Sequence, residues 1–256
     1  MSTTPALILI TNDDGHEARG IQALAESMAV LGEVWIVAPD RERSGVSHAI
    51  TLTRPLRVRE TRPRHFVTDG TPTDCVFLGI QSLLPRKPDL VVSGINHGPN
   101  LGDDVTYSGT VAGAMEGTIM GVPSVAVSVN SRNPKDFRPA GDFAVAVCRH
   151  VLAHGLPARS LLNVNVPDTH GEPVTAFRWA RGGHRDYGHE VIVQQDPRGR
   201  TMYWIGSNIQ HHTVESSDCD ALAEGLAAIT PIYLDLTHFS LLAAWGTVGL
   251  PGFERR

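Results

Sequence analysis

Cysteine is scarce: Cys75, Cys148 and Cys219 are the only three in 256 residues, and no CxxC pair occurs. Neither a disulfide framework nor a cysteine-based zinc site is expected from them. Aromatic residues are equally sparse at 6%, and Ala and Val carry the apolar content, which favours tightly packed helix-on-sheet layers. Positive charge is not in excess. The 22 Lys+Arg stand against 27 Asp+Glu, a net charge of −5, which disfavours a basic-surface nucleic-acid binder. No apolar run approaches the ~18 residues needed to span a bilayer, and no basic leader region precedes the first apolar stretch. A cytoplasmic protein without membrane or nucleic-acid partners is the expectation. With 41% hydrophobic and 19% charged residues, general disorder is excluded as well.

What is present is an alternation of short apolar runs and helical stripes. Residues 6–10 are continuously apolar and then turn polar at once, the pattern of a strand buried on both faces of a parallel sheet. Ile21, Leu24, Ala25, Met28 and Leu31 recur at helical spacing, Gly32 ends that stripe, and residues 34–38 (VWIVA) form a second strand. This is a βαβ unit with a right-handed crossover. The alternation continues with strands at 65–68, 89–93, 125–129 and 161–166, and helices at 73–84, 111–120 and 143–152. Such a series predicts an α/β fold, a three-layer doubly wound, mostly parallel sheet with helices on both faces.

The last third differs in character. Residues 191–194 and 202–205 flank the turn Asp196-Pro-Arg-Gly199 and read as a hairpin. Residues 1–256 are therefore expected to be one domain, with a core at about 1–180 and a hairpin and C-terminal extension at 181–256 that serves oligomerisation.

In open α/β sheets ligands bind outside the carboxyl ends of the strands, and here those ends carry polar loops. The first is Thr11-Asn12-Asp13-Asp14-Gly15, the second runs from Asp40 to Ser44-Gly45, and the third from Ser93 through Asn96 and His97 to Asn100. Two aspartates with Ser and Asn oxygens make a hard, all-oxygen donor set that suits Mg²⁺ or Mn²⁺ better than zinc. The competing reading is that each residue is a turn former or cap. A second constellation, Tyr107-Ser108-Gly109-Thr110 before the Ala/Val/Gly stretch 111–114, is a helix start whose free amides and hydroxyls could receive phosphate, or simply a cap.

Other polar residues weigh less. His150 and His154 are one helical turn apart without a third ligand, and His211-His212 sits in a polar stretch; a solvated surface is the plainer reading for both. His48 and His97 stand nearest the proposed metal loops and could protonate a leaving group, or be solvated loop residues. The stretch RPLRVRETRPR, residues 54–64, could attract an anion or be the exposed face of a strand.

TNDDG, VAPDRERSG, DGTPTDCV, PDLVVSGINHGPNLGDDVTYSGTVAGAMEG and QQDPRG, in this order, resemble the SurE family of survival-protein nucleotidases, from Ile8 to about Ser240. The resemblance implies a Rossmann-like core that removes phosphate from nucleoside 5′- and 3′-monophosphates, with short polyphosphate as a further substrate. It also implies one divalent cation per subunit, Mg²⁺ or Mn²⁺, and a homodimer or homotetramer built through the C-terminal extension. The family's metal ligands fall on Asp13, Asp14, Ser44 and Asn96, and its phosphate pocket on Asn12, Gly45, Ser108, Gly109 and Thr110. Near the C-terminus some members read DLTAHS where this chain has Asp235-Leu-Thr-His238-Phe-Ser240, so His238 is not placed in the site.

Phosphate monoester hydrolysis needs charge neutralisation on the phosphoryl oxygens and a positioned nucleophile. The expected arrangement has the cation as Lewis acid and Asp13 or Asp14 as the catalytic carboxylate. Phosphoaspartyl enzymes of the haloacid-dehalogenase type begin with Asp-x-Asp, whereas Gly15 stands two after Asp13 here, which favours attack by water. Two rivals remain: a nucleotide sensor using the same pocket without turnover, and a dinucleotide-dependent oxidoreductase. The second is disfavoured because no GxGxxG follows the first strand.

Overall fold

Strand β1 (Ala6–Thr11) is buried from Leu7 onwards because each of its faces meets a layer of helices. Ile8 and Ile10 point into one core with Leu24, Val92 and Val127, while Leu7 and Leu9 point into the other with Val37, Val76 and Val91. Two-sided burial explains the continuous apolar run in the sequence. The computed structural model describes residues 5–186, 191–205, 210–212, 214–249 and 251–254.

The chain runs from β1 through α1 (Arg19–Met28) to β2 (Gly32–Pro39), then an edge hairpin of β3 (Val58–Arg62) and β4 (His65–Thr68). Helix α2 (Pro72–Leu78) continues as a π-helical turn over Gly79–Leu83, so the helix expected at 73–84 is present but changes winding halfway. Then come β5 (Leu90–His97), α3 (Gly109–Ile119), β6 (Ser124–Val129), α4 (Arg138–His154) and β7 (Ser160–Val166). Helix α4 begins five residues before the expected position 143, because Pro139 lies in its first turn, where a missing N–H costs nothing. Beyond β7 lie β8 (Phe177–Trp179), β9 (His184–Asp186), β10 (Val191–Gln195), β11 (Thr201–Ile205) and β12 (Gln210–His212). The chain closes with α5 (Asp218–Ala223), β13 (Ala227–Tyr233) and α6 (Phe239–Trp245).

The main sheet has nine strands in the order β3-β4-β2-β1-β5-β6-β7-β13-β8. Strands β4, β2, β1, β5, β6 and β7 are mutually parallel, and the chain moves outward in both directions from β1 and β5. That pair is the topological switch point, where the connecting helices diverge to opposite faces and a crevice opens at the carboxyl ends. The fold is the doubly wound α/β sheet expected from the alternation. The hairpin is present too, with β10 paired antiparallel to β11.

Residue 180 is not where the sheet ends. Strand β13 returns from the extension to pair antiparallel with β7, and β8 runs parallel alongside it. Pro231 sits within β13 at a position that β8, paired only to Ala227–Ile229, leaves open, so no ladder bond on that edge is lost.

Helix α3 lies unusually close to the sheet, and its glycines explain why. A Cβ on Gly109 would stand 2.7 Å from the Asp13 Cβ, one on Gly113 2.8 Å from Ser93 Oγ and Thr11 Cγ2, and one on Gly117 2.4 Å from Ser124 Oγ. The three share one helix face at i, i+4 and i+8, a bare ridge that lets the backbone rest on β1, β5 and β6.

Candidate active site

At the end of β1 the chain turns out of the sheet at Gly15, which has φ +96°, and the Asn12 side chain closes the turn by donating to Gly15 O at 2.9 Å. Asp13 is only 4% exposed. Its main-chain carbonyl accepts from Arg43 N at 2.7 Å, which ties the loop after β2 to the loop after β1. From the other side α3 delivers its first turn. Ser108 caps the helix, its hydroxyl accepting from Val111 N at 3.1 Å, and Thr110 Oγ1 donates to Asp13 Oδ1 at 2.5 Å. Burial pushes the Asp13 carboxyl up to about 6; the neighbouring Asp14 charge adds to the rise, and the Thr110 bond opposes it.

Asp14 is held by His97 at the end of β5. The His97 ring Nδ1 and Asp14 Oδ2 share a hydrogen bond at 2.8 Å, and the His97 main-chain N–H donates to the same oxygen at 3.3 Å. The ring also stacks edge-on against Phe137, with centroids 5.1 Å apart. Asn96 donates from Nδ2 to Gly98 O at 2.8 Å, which leaves its side-chain oxygen as an acceptor. Ser44, on the exposed loop after β2, donates to Glu42 at 2.9 Å. Asn100 organises the floor beneath: it donates to Asn165 and Ser128 and accepts from Asn163 and Asn165, all at 2.8–2.9 Å.

These loops enclose a cleft of about 450 Å³. Asp13, Ser44, Gly45, Asn96 and Ser108 line it directly. Asn12, Asp14, Gly109 and Thr110 are not on its wall. Asn12 and Thr110 are fully buried behind it, where Thr110 spends its hydroxyl on Asp13. Among the described residues no group of three or more His, Cys, Asp or Glu side chains converges as a metal cluster. The proposed ligand set is of another kind, combining two carboxylates with a hydroxyl and an amide oxygen. Its donor chemistry fits a hard divalent cation. The Asn12 side-chain oxygen, buried without a protein partner beside Asp13, leaves one more acceptor at this corner.

Arg132 and Arg185 line the cleft and were not singled out from the sequence. Arg185 comes from β9, within the extension, and forms a buried ion pair with Asp104. No local pattern marks it, because the pair spans 81 residues. His48 is not a free loop histidine but is bonded to Glu116 of α3 at 2.9 Å. His150 and His154 stack on an exposed helix face with centroids 4.1 Å apart, and His211-His212 belong to β12, paired with β9. His238 is an N-cap, its ring accepting from Leu241 N at 3.0 Å. The arginine-rich stretch forms the exposed edge strand β3 and its flanks, where Arg54 pairs with Asp69 and Arg64 with Glu33.

A doubly wound parallel sheet whose switch point gathers two carboxylates and a helix N-terminus defines a Rossmann-like α/β protein with a strand-end ligand site. The sequence profile of the family described as Survival protein SurE matches residues 8–189, and the chain belongs to that family. It is similar to a 5′-nucleotidase SurE of Anaeromyxobacter dehalogenans, 52% identical over 97% of this chain and 98% of that one. A 5′-nucleotidase SurE of Pelobacter propionicus is 54% identical over 91% of this chain and 95% of its own. Among solved structures, that of a SurE protein from Aquifex aeolicus superposes with a TM-score of 0.83 at 43% identity, covering 93% of this chain and 97% of that one.

Proposed function

We propose that the cleft at the β1–β5 switch point hydrolyses the phosphate ester of nucleoside monophosphates with the help of one divalent cation. The reaction class is phosphoric monoester hydrolysis, and the relatives named 5′-nucleotidase SurE, about half identical over nearly the whole chain, support it. The single observation that carries the reading to this cleft is the meeting of Asp13 with the first turn of α3: a buried carboxylate stands beside helix amides that have no intrahelical partner.

Asp13, Asp14, Ser44 and Asn96 would hold the cation, and Mg²⁺ or Mn²⁺ suits their oxygens. Bound there, it supplies Lewis-acid polarisation of a phosphoryl oxygen and offsets the two carboxylate charges. The rest falls to the chain. Ser108, whose oxygen already accepts from Val111 N, keeps its O–H to offer to phosphate, and the main-chain amides of Gly109 and Gly45 would join it, whereas those of Thr110 and Val111 are turned to Asp13 and Ser108. Thr110 and Asn12 support this pocket from behind. Thr110 locks one oxygen of Asp13 and leaves the other to orient an attacking water; His97 fixes Asp14 in the same way. Hydrolysis of 3′-monophosphates and short polyphosphate follows from the same phosphate-centred design and belongs to the proposal. So do a homodimer or homotetramer built through the extension and a cytoplasmic place of work; no helix among the described residues is long and apolar enough to cross a membrane.

The test is phosphate release from a panel of nucleoside monophosphates in EDTA, Mg²⁺ and Mn²⁺, with Asp14→Asn as control. Metal-dependent release that the variant loses is the expected result. Tight nucleotide binding without release would replace the enzyme with a nucleotide sensor, and release that survives EDTA would overturn the cation.

A further inference from the structure

Two arginines line the cleft, and they are in different states. Arg185 is committed to Asp104. Arg132 stands on the loop after β6, and no carboxylate among the described residues pairs with it. That loop is held in place: Asn130 N donates to Val166 O and Ser131 N to Val129 O, both at 2.8 Å. The aliphatic stem of Arg132 lies along the turn that carries Asn96 and His97, with its Cγ 3.9 Å from where a Gly98 Cβ would be. A longer side chain at position 98 would crowd that stem, and Gly98 has φ +105° besides.

Charge bookkeeping gives this cation a purpose. A divalent cation offsets Asp13 and Asp14 and leaves the site near neutrality, yet a phosphate monoester arrives as a dianion. The α3 N-terminus contributes the equivalent of only about half a charge. A guanidinium presents a planar fork of donors that matches two phosphoryl oxygens, and an unpaired one loses no existing ion pair on doing so.

Building on the nucleotidase reading, we propose that Arg132 is a substrate-binding residue that grips the phosphoryl group from the loop after β6, and that it binds free inorganic phosphate in the same way. It acts on the anion and not on the nucleoside. The affinity it supplies is therefore common to every phosphate monoester the cleft accepts and independent of the base.

The experiment compares wild type, Arg132→Gln and Arg132→Lys. KM and kcat are measured for a nucleoside 5′-monophosphate, together with inhibition constants for inorganic phosphate and for the free nucleoside. Arg132→Gln is expected to raise KM and the phosphate inhibition constant together, by about ten- to a hundredfold, the range for a charge-assisted hydrogen bond. Nucleoside inhibition stays within about twofold, and Arg132→Lys recovers part of the loss because it keeps the charge without the fork. A parallel loss of nucleoside affinity with phosphate inhibition intact would place Arg132 on the base or sugar and overturn the proposal. So would a variant in which no constant moves. Calorimetric titration of inorganic phosphate into the same three proteins with Mg²⁺ reads the contact without turnover. If wild type released phosphate from no nucleotide, the nucleotidase reading would fall, while an Arg132-dependent phosphate isotherm would still uphold the anion contact and its absence would reject it.

Discussion

Thr110 Oγ1 donates to Asp13 Oδ1 at 2.5 Å across 97 residues of chain, and both groups are buried. In the proposed mechanism Asp13 faces a cation and a water in one orientation, and such a carboxylate gains from having one oxygen fixed by a group that cannot swing away. Thr110→Val keeps the shape and deletes the donor. We expect kcat/KM to fall by about ten- to a hundredfold, the weight of a positioning contact to a metal ligand, with Mn²⁺ affinity falling alongside. Thr110→Ser, which retains the hydroxyl, should stay within a few-fold of wild type. Equal activity in all three proteins would show that Asp13 needs no such anchor.

The ridge of α3 makes a prediction about stability. A methyl at Gly113 would press on Ser93 Oγ and Thr11 Cγ2 at 2.8 Å, with sheet on that side and helix backbone behind it. Gly113→Ala should destabilise by about 1–3 kcal/mol, the usual cost of overpacking, and lower Tm by several degrees. Gly45→Ala is the contrast. Its Cβ would meet nothing within 4 Å, and only the φ of +71° is unfavourable, so about 1 kcal/mol is expected. Thermal unfolding of the two variants beside wild type decides it, and the reverse ranking would contradict the packing argument.

His65 in β4 titrates far from its ordinary range. Burial pushes it down to about 4 from 6.5, and the neighbouring Arg62 charge and His16 ring add to the shift. Arg62 Nε donates to its Nδ1 at 2.8 Å, which a protonated ring could not accept. The neutral form is thus favoured in the folded state, while the unfolded chain takes up the proton below pH 6.5. The stability is fully present above that pH and is lost as pH falls through 6.5 towards 4. Relative to His65→Phe, wild type should lose on the order of 1–3 kcal/mol between pH 7.5 and 4.5. Asp13, raised instead of lowered, works in the opposite sense over part of this range, so the difference from the variant is the quantity to measure, by denaturant unfolding with EDTA present. Parallel curves would place no proton uptake at His65.

The parts of this molecule that a reader of the sequence can find are those whose cause is local. Strands β1, β5, β6 and β7 show as apolar runs because helices cover both their faces, and Asp13, Asp14, Ser44 and Asn96 stand out because polar residues follow such runs abruptly. What is hidden has its cause elsewhere in the chain. Strand β13 carries Thr230-Pro231 and is a strand only because β7 offers it an edge. The bonds that orient the site, Thr110 to Asp13 and His97 to Asp14, join residues 97 and 83 apart, brought together by the order of strands in the sheet. Arg185 reaches the cleft from an extension that looked peripheral because its contact with Asp104 leaves no trace in local spacing.

The hairpin β10–β11 has apolar side chains on both faces, and the described residues of the chain leave them uncovered. In the observed register Val191 pairs with Ile205 and Val193 with Tyr203 on one face, while Ile192 pairs with Trp204 on the other. All six are exposed, Tyr203 at 68% and Ile205 at 93%. A two-stranded ribbon is marginal in water by itself, and a contiguous apolar surface of this kind marks an association site. The surface of α6, with Leu242 and Trp245 exposed, extends the same signal along the C-terminal segment. If the extension joins copies of the chain, one charge in the middle of the ribbon should separate them: Val193→Lys or Tyr203→Glu is expected to shift the mass measured by light scattering during size exclusion from oligomer towards monomer at micromolar concentration. The far-ultraviolet circular dichroism should be unchanged, because neither residue contributes to the core of the main sheet. An unaltered oligomer mass in both variants would assign the assembly to another surface, and a monomeric wild type would remove the role proposed for the extension.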